Sequence, residues 1–166
     1  IIRQNMAYWN ISEHKITHVL LTHGHDDHAG SSSWFQSMGA QIYVGTGDEM
    51  NMITGNFGPE SPFTNHVMPP CHPDVCIHED MDISVGGLCI HALRMPGHTS
   101  GSMLYYVMLD KEAVLFSGDM FFADGETGEA AYTGWKGDMA YDGLRLLESF
   151  QKLWRLQLHP DMVAGG

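Results

Sequence analysis

Residues 22–28, THGHDDH, hold the side chains of this sequence best suited to chemistry: three histidines and two aspartates. Neutral imidazole and carboxylate groups together are the ligands preferred by Zn²⁺ and by its first-row neighbours. A single histidine, among the 11 in the chain, is more often a surface or hydrogen-bonded core residue than a ligand. Three within seven residues are harder to explain in that way, because each buried polar group without a partner costs on the order of 1–3 kcal/mol. The spacing therefore predicts a metal site.

The sequence also predicts the elements that position this cluster. An apolar run at residues 16–21 is typical of a buried strand, and it ends at the histidine-rich loop. Residues 83–93 alternate like strands and precede a polar loop that carries His98, while a strand at residues 113–116 is soon followed by Asp119. Open sheets place ligand sites beyond the carboxyl ends of their strands. Three strands that end in loops bearing His or Asp are the main structural argument for one site.

The rest of the chain is predicted from periodicity and from glycine and proline content. A loop as long as residues 54–80 is usually functional or mobile, and here it could cover a substrate. The further predicted elements are helix 29–38, strand 41–44, helix 46–53, strand 103–109, a glycine-rich loop at 123–138, helix 141–156 and a strand that begins at 162–164.

Charge and hydropathy narrow the set of partners. Eight basic residues against 20 acidic ones give a net charge of −12, and such a surface repels the phosphate backbone of nucleic acids. The sequence has no apolar run of about 18 residues, so we expect no membrane span. The absence of a signal-peptide pattern favours a cytoplasmic location. We therefore expect a small-molecule substrate, neither nucleic acid nor membrane as a partner, and an oligomeric state that the sequence does not indicate.

The three cysteines do not form a recognisable framework. Cys71 and Cys76 are spaced so that they could form a disulfide or part of a soft metal site. Three cysteines are too few for a disulfide scaffold, and no four-thiolate zinc pattern exists. Free thiols are the favoured interpretation.

The order of motifs resembles the metallo-β-lactamase superfamily: H-x-H-x-D-H at residues 23–28, then His98 within PGHTSGS, then Asp119 within SGD. The resemblance implies an α/β (α+β) fold, a four-layer αββα sandwich, in one domain that spans residues 1–166. It also implies the ligands of two metal ions. His23, His25 and His98 would hold the first metal, and Asp27 and His28 the second. Asp119 would bridge the two, whereas Asp26 occupies the variable position of the motif.

The same resemblance implies a hydrolytic mechanism. Two divalent cations, Zn²⁺ in the first place with Fe or Mn as other candidates, would share a hydroxide that attacks a carbonyl or similar centre. Asp27 is implied as the residue that orients or deprotonates this nucleophile. The expected activity is therefore metal-dependent hydrolysis by a metal-bound hydroxide.

Two departures from the family pattern concern the ends of the chain. About twenty residues precede the H-x-H-x-D-H motif, where the family has a longer β-rich segment, and the first residue is not Met. The family's last ligand of the second metal, a histidine after a late strand, would come after Gly166. We therefore expect a fragment, an αββα sandwich incomplete at both termini, that binds the second metal weakly.

Differences within the superfamily narrow the substrate. His28 is usually missing from the β-lactamases best known in resistance, and Phe122 stands where lactonases of acyl-homoserine lactones place a tyrosine. The glycine- and arginine-rich segment of glyoxalase II-type thioesterases is not evident at residues 121–125. A small ester, thioester or lactone remains the expected substrate. The alternatives are a mononuclear-iron persulfide dioxygenase, β-lactam hydrolysis, and a non-catalytic binding domain.

Overall fold

The computed structural model describes residues 1–56, 67–123, 127, 130–133 and 141–166. A 3-10 turn at Glu13–Lys15 precedes the first strand. The helices are α1 (Ile2–Tyr8), α2 (Asp26–Ala29), α3 (Ser32–Ser37), α4 (Glu49–Thr54) and α5 (Gly143–Leu156). The strands are β1 (His18–Leu20), β2 (Gln41–Gly45), β3 (Val75–Ile77), β4 (Met81–Val85), β5 (Leu88–Arg94), β6 (Met103–Leu109), β7 (Glu112–Gly118), β8 (Phe121–Ala123), β9 (Ala130–Thr133) and β10 (Met162–Gly165).

Two larger sheets and one hairpin contain these strands. The smaller of the two sheets is parallel, with three strands in the order β1-β2-β3. The larger has five strands in the order β10-β7-β6-β5-β4; its pairs are antiparallel except for β10, which runs parallel to β7. β8 and β9 form the antiparallel hairpin.

Alternation along β6 divides its side chains between two apolar layers, because successive residues of a strand point to opposite faces. Met103, Tyr105 and Val107 pack in the layer between the two sheets. Leu104 belongs to a second layer, which also contains Leu146 of α5. The larger sheet is thus covered by the smaller sheet on one face and by α5 on the other.

The same alternation in β2 builds a third apolar layer. Ile42 and Val44 are fully buried in a cluster with Met52 of α4 and Phe35 of α3. Tyr43, between them in sequence, packs instead in the layer between the sheets. The order of layers is therefore helices, sheet, sheet, helix, which confirms the predicted αββα sandwich.

Helix α5 begins and ends by recognisable local chemistry. The Asp142 side chain caps its first turn by accepting hydrogen bonds from the amides of Leu144 and Arg145. Gln157 follows the last turn in a left-handed conformation with φ 50°. The prediction of a helix at residues 141–156 is confirmed, with a start two residues later.

Three predicted segments differ from the structure. The predicted helix 29–38 corresponds to α3, because the chain turns at Gly30 and Ser31 and Ala29 is the last residue of a separate short helix, α2. The predicted loop 54–80 contains β3, whose three residues are too few for a period to be recognised. The predicted loop 123–138 contains β9. Residues 57–66 and most of residues 124–140 in these two loops lie outside the described residues.

The cysteine prediction is confirmed. Cys71, Cys76 and Cys89 are all free thiols, and the Cys71 thiol lies 3.4 Å from the amide oxygen of Gln36. Burial raises the pKa of Cys71, and the nearby Asp74 carboxylate adds to the effect. A raised pKa keeps this thiol protonated and unreactive.

The helices of the described part of the chain are short. The longest, α5, has 14 residues, whereas a bilayer needs about 20 consecutive apolar residues in a helix. Within the described residues no helix has the length and apolar character required to cross a membrane.

Tyr105 links the two sheets beside the histidine-rich loop. Its buried hydroxyl donates a hydrogen bond of 2.8 Å to the carbonyl oxygen of Leu21. We expect Tyr105→Phe to lower the free energy of unfolding by about 1–3 kcal/mol, because a buried acceptor loses its donor. Urea denaturation measures this change. The control is Tyr106→Phe on the opposite face of β6, expected to stay within about 0.5 kcal/mol of the wild type; equal stability of the two variants would contradict the assignment.

Candidate metal centre

Three segments that follow strands converge at one edge of the sandwich. The loop after β1 carries His23 and His25, the loop after β5 carries His98, and the turn after β7 carries Asp119. A backbone hydrogen bond of 2.7 Å from the amide of Met103 to the carbonyl of Thr22 ties the first loop to the start of β6. The strand-end argument from the sequence therefore leads to one place in the structure.

The first donor group consists of the ring nitrogens of His23, His25 and His98. The His23 Nε2 lies 2.9 Å from the His25 Nδ1 and 3.2 Å from the His98 Nε2. The His98 Nε2 lies 3.1 Å from the His25 Nδ1, which closes a triangle. All three histidines are buried, with exposed fractions of 1%, 5% and 2%.

The chemistry of the first donor group fits a metal ion. Zn–N bonds of about 2.0–2.1 Å in tetrahedral geometry place two ligand nitrogens about 3.3–3.4 Å apart, close to the three edges of this triangle. Three imidazole nitrogens that converge on one point gain little from one another, since a neutral ring carries one N–H and one lone pair. The Thr22 hydroxyl lies 3.3 Å from the His23 Nδ1 and thereby holds the ring from its other side.

The second donor group consists of His23, His28 and Asp119. The His28 Nε2 lies 3.1 Å from the Asp119 Oδ1, and the other carboxylate oxygen of Asp119 lies 3.6 Å from the His98 Nε2. Asp119 thus faces both donor groups, as the resemblance implies for a bridging ligand. His28 and Asp119 are more exposed than the first donor group, at 20% and 15% of their side chains.

Asp27 is placed differently from the other five predicted ligands. Its side chain is 71% exposed, and its Oδ2 lies 3.5 Å from the His28 Nε2. The structure therefore brings Asp27 next to the second donor group without making it part of either group. Asp26, half-buried, begins α2.

The pKa shifts differ between His23, in the buried first donor group, and His28, on the more exposed side of the cluster. Burial, together with the charges of His28, His25 and His98, sets the pKa of His23 well below its usual range, so the ring stays neutral and can act as a ligand. For His28, burial would lower the pKa, but the hydrogen bond and charge of Asp119 and the charges of Asp27 and Asp26 outweigh it and raise the pKa. For Asp119, burial is likewise outweighed, and the hydrogen bond from His28 lowers the pKa of the carboxyl.

One residue of the site was not predicted from the sequence. Asp48, which directly precedes α4, is 1% exposed and lies behind the first donor group. Its carboxylate accepts hydrogen bonds from Gly24 and Gly101 amides and from the Thr99 hydroxyl. Burial raises the pKa of Asp48 in spite of these bonds. No spacing rule could have found it, because its partners are 24, 51 and 53 residues away.

Proteins of known sequence support a hydrolase family. The chain is 33% identical over 108 residues to a hydroxyacylglutathione hydrolase of Pseudomonas entomophila, a match that covers 64% of this chain and 34% of the relative. A hydroxyacylglutathione hydrolase of Anaeromyxobacter dehalogenans is 30% identical over 133 residues, which are 80% of this chain and 40% of the relative. The matched region thus spans well under half the length of these relatives.

Solved structures confirm the fold. The subclass B3 metallo-β-lactamase BLEG-1 superposes with a TM-score of 0.79 at 24% identity, over 99% of this chain and 74% of that structure. The subclass B3 enzyme BJP-1 of Bradyrhizobium japonicum gives 0.72 at 21% identity, over 99% of this chain and 61% of that structure. The family model described as metallo-beta-lactamase superfamily matches residues 2–159. With that match, the shared fold and the convergence of the strand-end histidines, the chain belongs to the metallo-β-lactamase superfamily.

Proposed function

We propose that this chain carries the metal centre of a metal-dependent hydrolase that acts on a small thioester, ester or lactone. The observation that carries the proposal is the buried triangle of His23, His25 and His98, which two separate loops build from both sheets. A buried three-imidazole donor set that leaves further positions open is typical of a catalytic rather than a structural zinc site.

Each predicted ligand has a proposed role. The first donor group would hold one Zn²⁺, and His28 and Asp27 would hold a second, with Asp119 as a ligand available to both; Fe or Mn are the other candidates. When bound, such cations supply Lewis-acid polarisation and lower the pKa of water towards neutrality. Asp27 is proposed to accept a proton from the attacking nucleophile, because its carboxylate is exposed and stands 3.5 Å from the His28 Nε2.

Differences in exposure indicate the side from which substrate approaches. The first donor group is buried, whereas the side chain of Asp27 is 71% exposed and that of His28 is 20% exposed. A substrate carbonyl therefore reaches the centre from the Asp27 side. The net charge of −12 makes a strongly anionic polymer an unfavourable substrate.

Among the three substrate classes, similarity to hydroxyacylglutathione hydrolases favours a thioester. The solved metallo-β-lactamases share the fold at 18–24% identity, which says nothing about β-lactam as the substrate of this chain. We therefore rank a hydroxyacyl thioester first, and a small ester or lactone second.

The experiment combines metal removal with a substrate panel. Protein dialysed against a strong chelator is assayed on a hydroxyacylglutathione thioester, a simple lactone and a β-lactam, before and after Zn²⁺ is restored. We expect thioester turnover that disappears with the metal and returns with Zn²⁺. Turnover that survives chelation would overturn the proposal. Protein purified without added metal is also analysed for iron and assayed for oxygen consumption with a persulfide substrate. One equivalent of iron together with oxygen consumption would favour the persulfide dioxygenase over the hydrolase.

A further inference from the structure

Asp48 is a buried carboxylate that lies between the two loops of the first donor group. It stands at the N-cap position of α4, where an aspartate normally accepts hydrogen bonds from the first amides of the helix. Among the described residues its side chain makes no such capping bond. The carboxylate is therefore available for hydrogen bonds outside the helix that it precedes.

The hydrogen bonds of Asp48 connect the two ligand loops. The Oδ2 atom accepts from the amide of Gly24, which lies between His23 and His25, at 2.8 Å. The same oxygen accepts from the hydroxyl of Thr99 at 2.6 Å. The Oδ1 atom accepts from the amide of Gly101 at 2.8 Å. One charged group thus holds the loop that carries His23 and His25 against the loop that carries His98.

The two glycines that donate to Asp48 allow this close approach. A Cβ at Gly24 would lie 2.9 Å from the Asp48 Cβ, and a Cβ at Gly101 would lie 2.5 Å from the Asp48 Cγ. Contacts this short would push the carboxylate away from both amides. Both loops therefore carry, at the contact with Asp48, the one residue that leaves room for it.

The Thr99 hydroxyl extends the connection within the His98 loop. It lies 2.8 Å from the Ser102 Oγ, which in turn accepts from the Thr99 amide at 2.9 Å. Thr99 is fully buried. Hydrogen bonds to an ionised group in a dry site are short and strong, so the loop next to His98 has one preferred position.

We propose that Asp48 is a positioning residue of the metal centre: it sets the distance between His98 and the pair His23 and His25. It belongs to neither donor group, and it acts on both ligand loops through Gly24, Thr99 and Gly101. The inference rests on the proposed function, because it assumes that the first donor group binds a metal ion. It predicts a preformed triangle of nitrogens whose geometry depends on one buried carboxylate.

The test is Asp48→Asn in the whole protein, which keeps the size of the side chain but replaces one acceptor oxygen with an NH₂ donor. The affinity for Zn²⁺ is measured by competition with a chromophoric chelator, well below the melting temperature. We expect affinity to fall about 10–100-fold, the usual effect of removing a partner beyond the ligands. The visible absorption spectrum of the Co²⁺-loaded variant is expected to change as well, because it reports coordination geometry.

The matched control is Glu49→Gln, the next residue along the chain. Its carboxylate accepts a hydrogen bond from the amide of Gly47, a residue that lies outside both ligand loops. This variant removes the same charge, and we expect the Zn²⁺ affinity and the Co²⁺ spectrum of the wild type.

The outcomes separate the two proposals. Wild-type protein that binds no Zn²⁺ would overturn the proposed function and, with it, this inference. Tight wild-type binding with unchanged affinity and spectrum in Asp48→Asn would overturn the role of Asp48 alone. If Asp48→Asn does not fold, Thr99→Val is tested instead, because it removes one of the three hydrogen bonds. A loss of Zn²⁺ affinity smaller than that expected for Asp48→Asn, with a changed Co²⁺ spectrum, supports the inference. Wild-type affinity and spectrum refute it.

Discussion

His98→Ala is expected to weaken Zn²⁺ binding at the first donor group by more than about 100-fold, and hydrolysis by at least the same factor. The reason is the position of the residue. Its Nε2 is one corner of the nitrogen triangle, 3.2 Å from the His23 Nε2 and 3.1 Å from the His25 Nδ1. Loss of a partner beyond the ligands costs 10–100-fold in metal affinity, and the loss of a ligand itself costs more.

Two measurements make this result specific. Metal content after dialysis and turnover of the preferred substrate are compared with those of His14→Ala, a change at an exposed histidine that belongs to neither donor group. Circular dichroism of both metal-free variants checks that the fold is intact. A His98→Ala protein that retains wild-type Zn²⁺ content would refute the assignment of the first donor group, whatever its activity.

The sequence predicted that these residues converge because the same pattern recurs along the chain. Each of three strands is followed by His or Asp, and strand ends at one edge of a layered sheet structure come together. The apolar period of residues 141–156 predicted a helix, and α5 packs on the larger sheet through Leu146. Here local pattern and long-range packing agree.

Features that depend on long-range packing rather than on local pattern were not predicted from the sequence. β3 has three residues, and its place beside β2 is set by pairing of Tyr43, Val44 and Gly45 rather than by its own period. Asp48 does stand directly before α4, but its carboxylate accepts hydrogen bonds from two loops that lie near it only in the folded chain, and no local pattern indicates this. Gly24 and Gly101 did not indicate the contact with Asp48 either, since glycine occurs in loops for many reasons.

The different roles proposed for Asp26 and Asp27 also come from the resemblance to the family motif rather than from a pattern within this sequence. Asp26 and Asp27 are adjacent and chemically identical, and nothing in the sequence by itself ranks them. The structure distinguishes their surroundings: Asp26 is half-buried, whereas the Asp27 carboxylate is exposed and faces His28. Because of this difference, the same substitution at Asp26 and at Asp27 tests whether Asp27 has an individual role.

Asp27→Asn is expected to reduce turnover by about 10²–10⁴-fold, the usual contribution of a positioned general base. Asn is nearly the same size, but it cannot accept a proton or offer a negative charge to a cation. Because the Asp27 side chain is 71% exposed, the free energy of unfolding should change by no more than about 0.5 kcal/mol. Zn²⁺ affinity of the first donor group should stay at the wild-type value, since Asp27 is not part of it.

Asp26→Asn is the matched control, because it makes the same chemical change one residue earlier. We expect it to keep wild-type turnover within a few-fold and the full metal content. Steady-state kinetics, titration with Zn²⁺ and thermal unfolding of both variants separate the possible results. If the two variants lose activity equally, the effect belongs to the negative charge of the α2 segment as a whole, and Asp27 has no individual role. If Asp27→Asn alone loses turnover while its Zn²⁺ content equals that of the wild type, the result supports Asp27 as the proton acceptor at the exposed side of the centre.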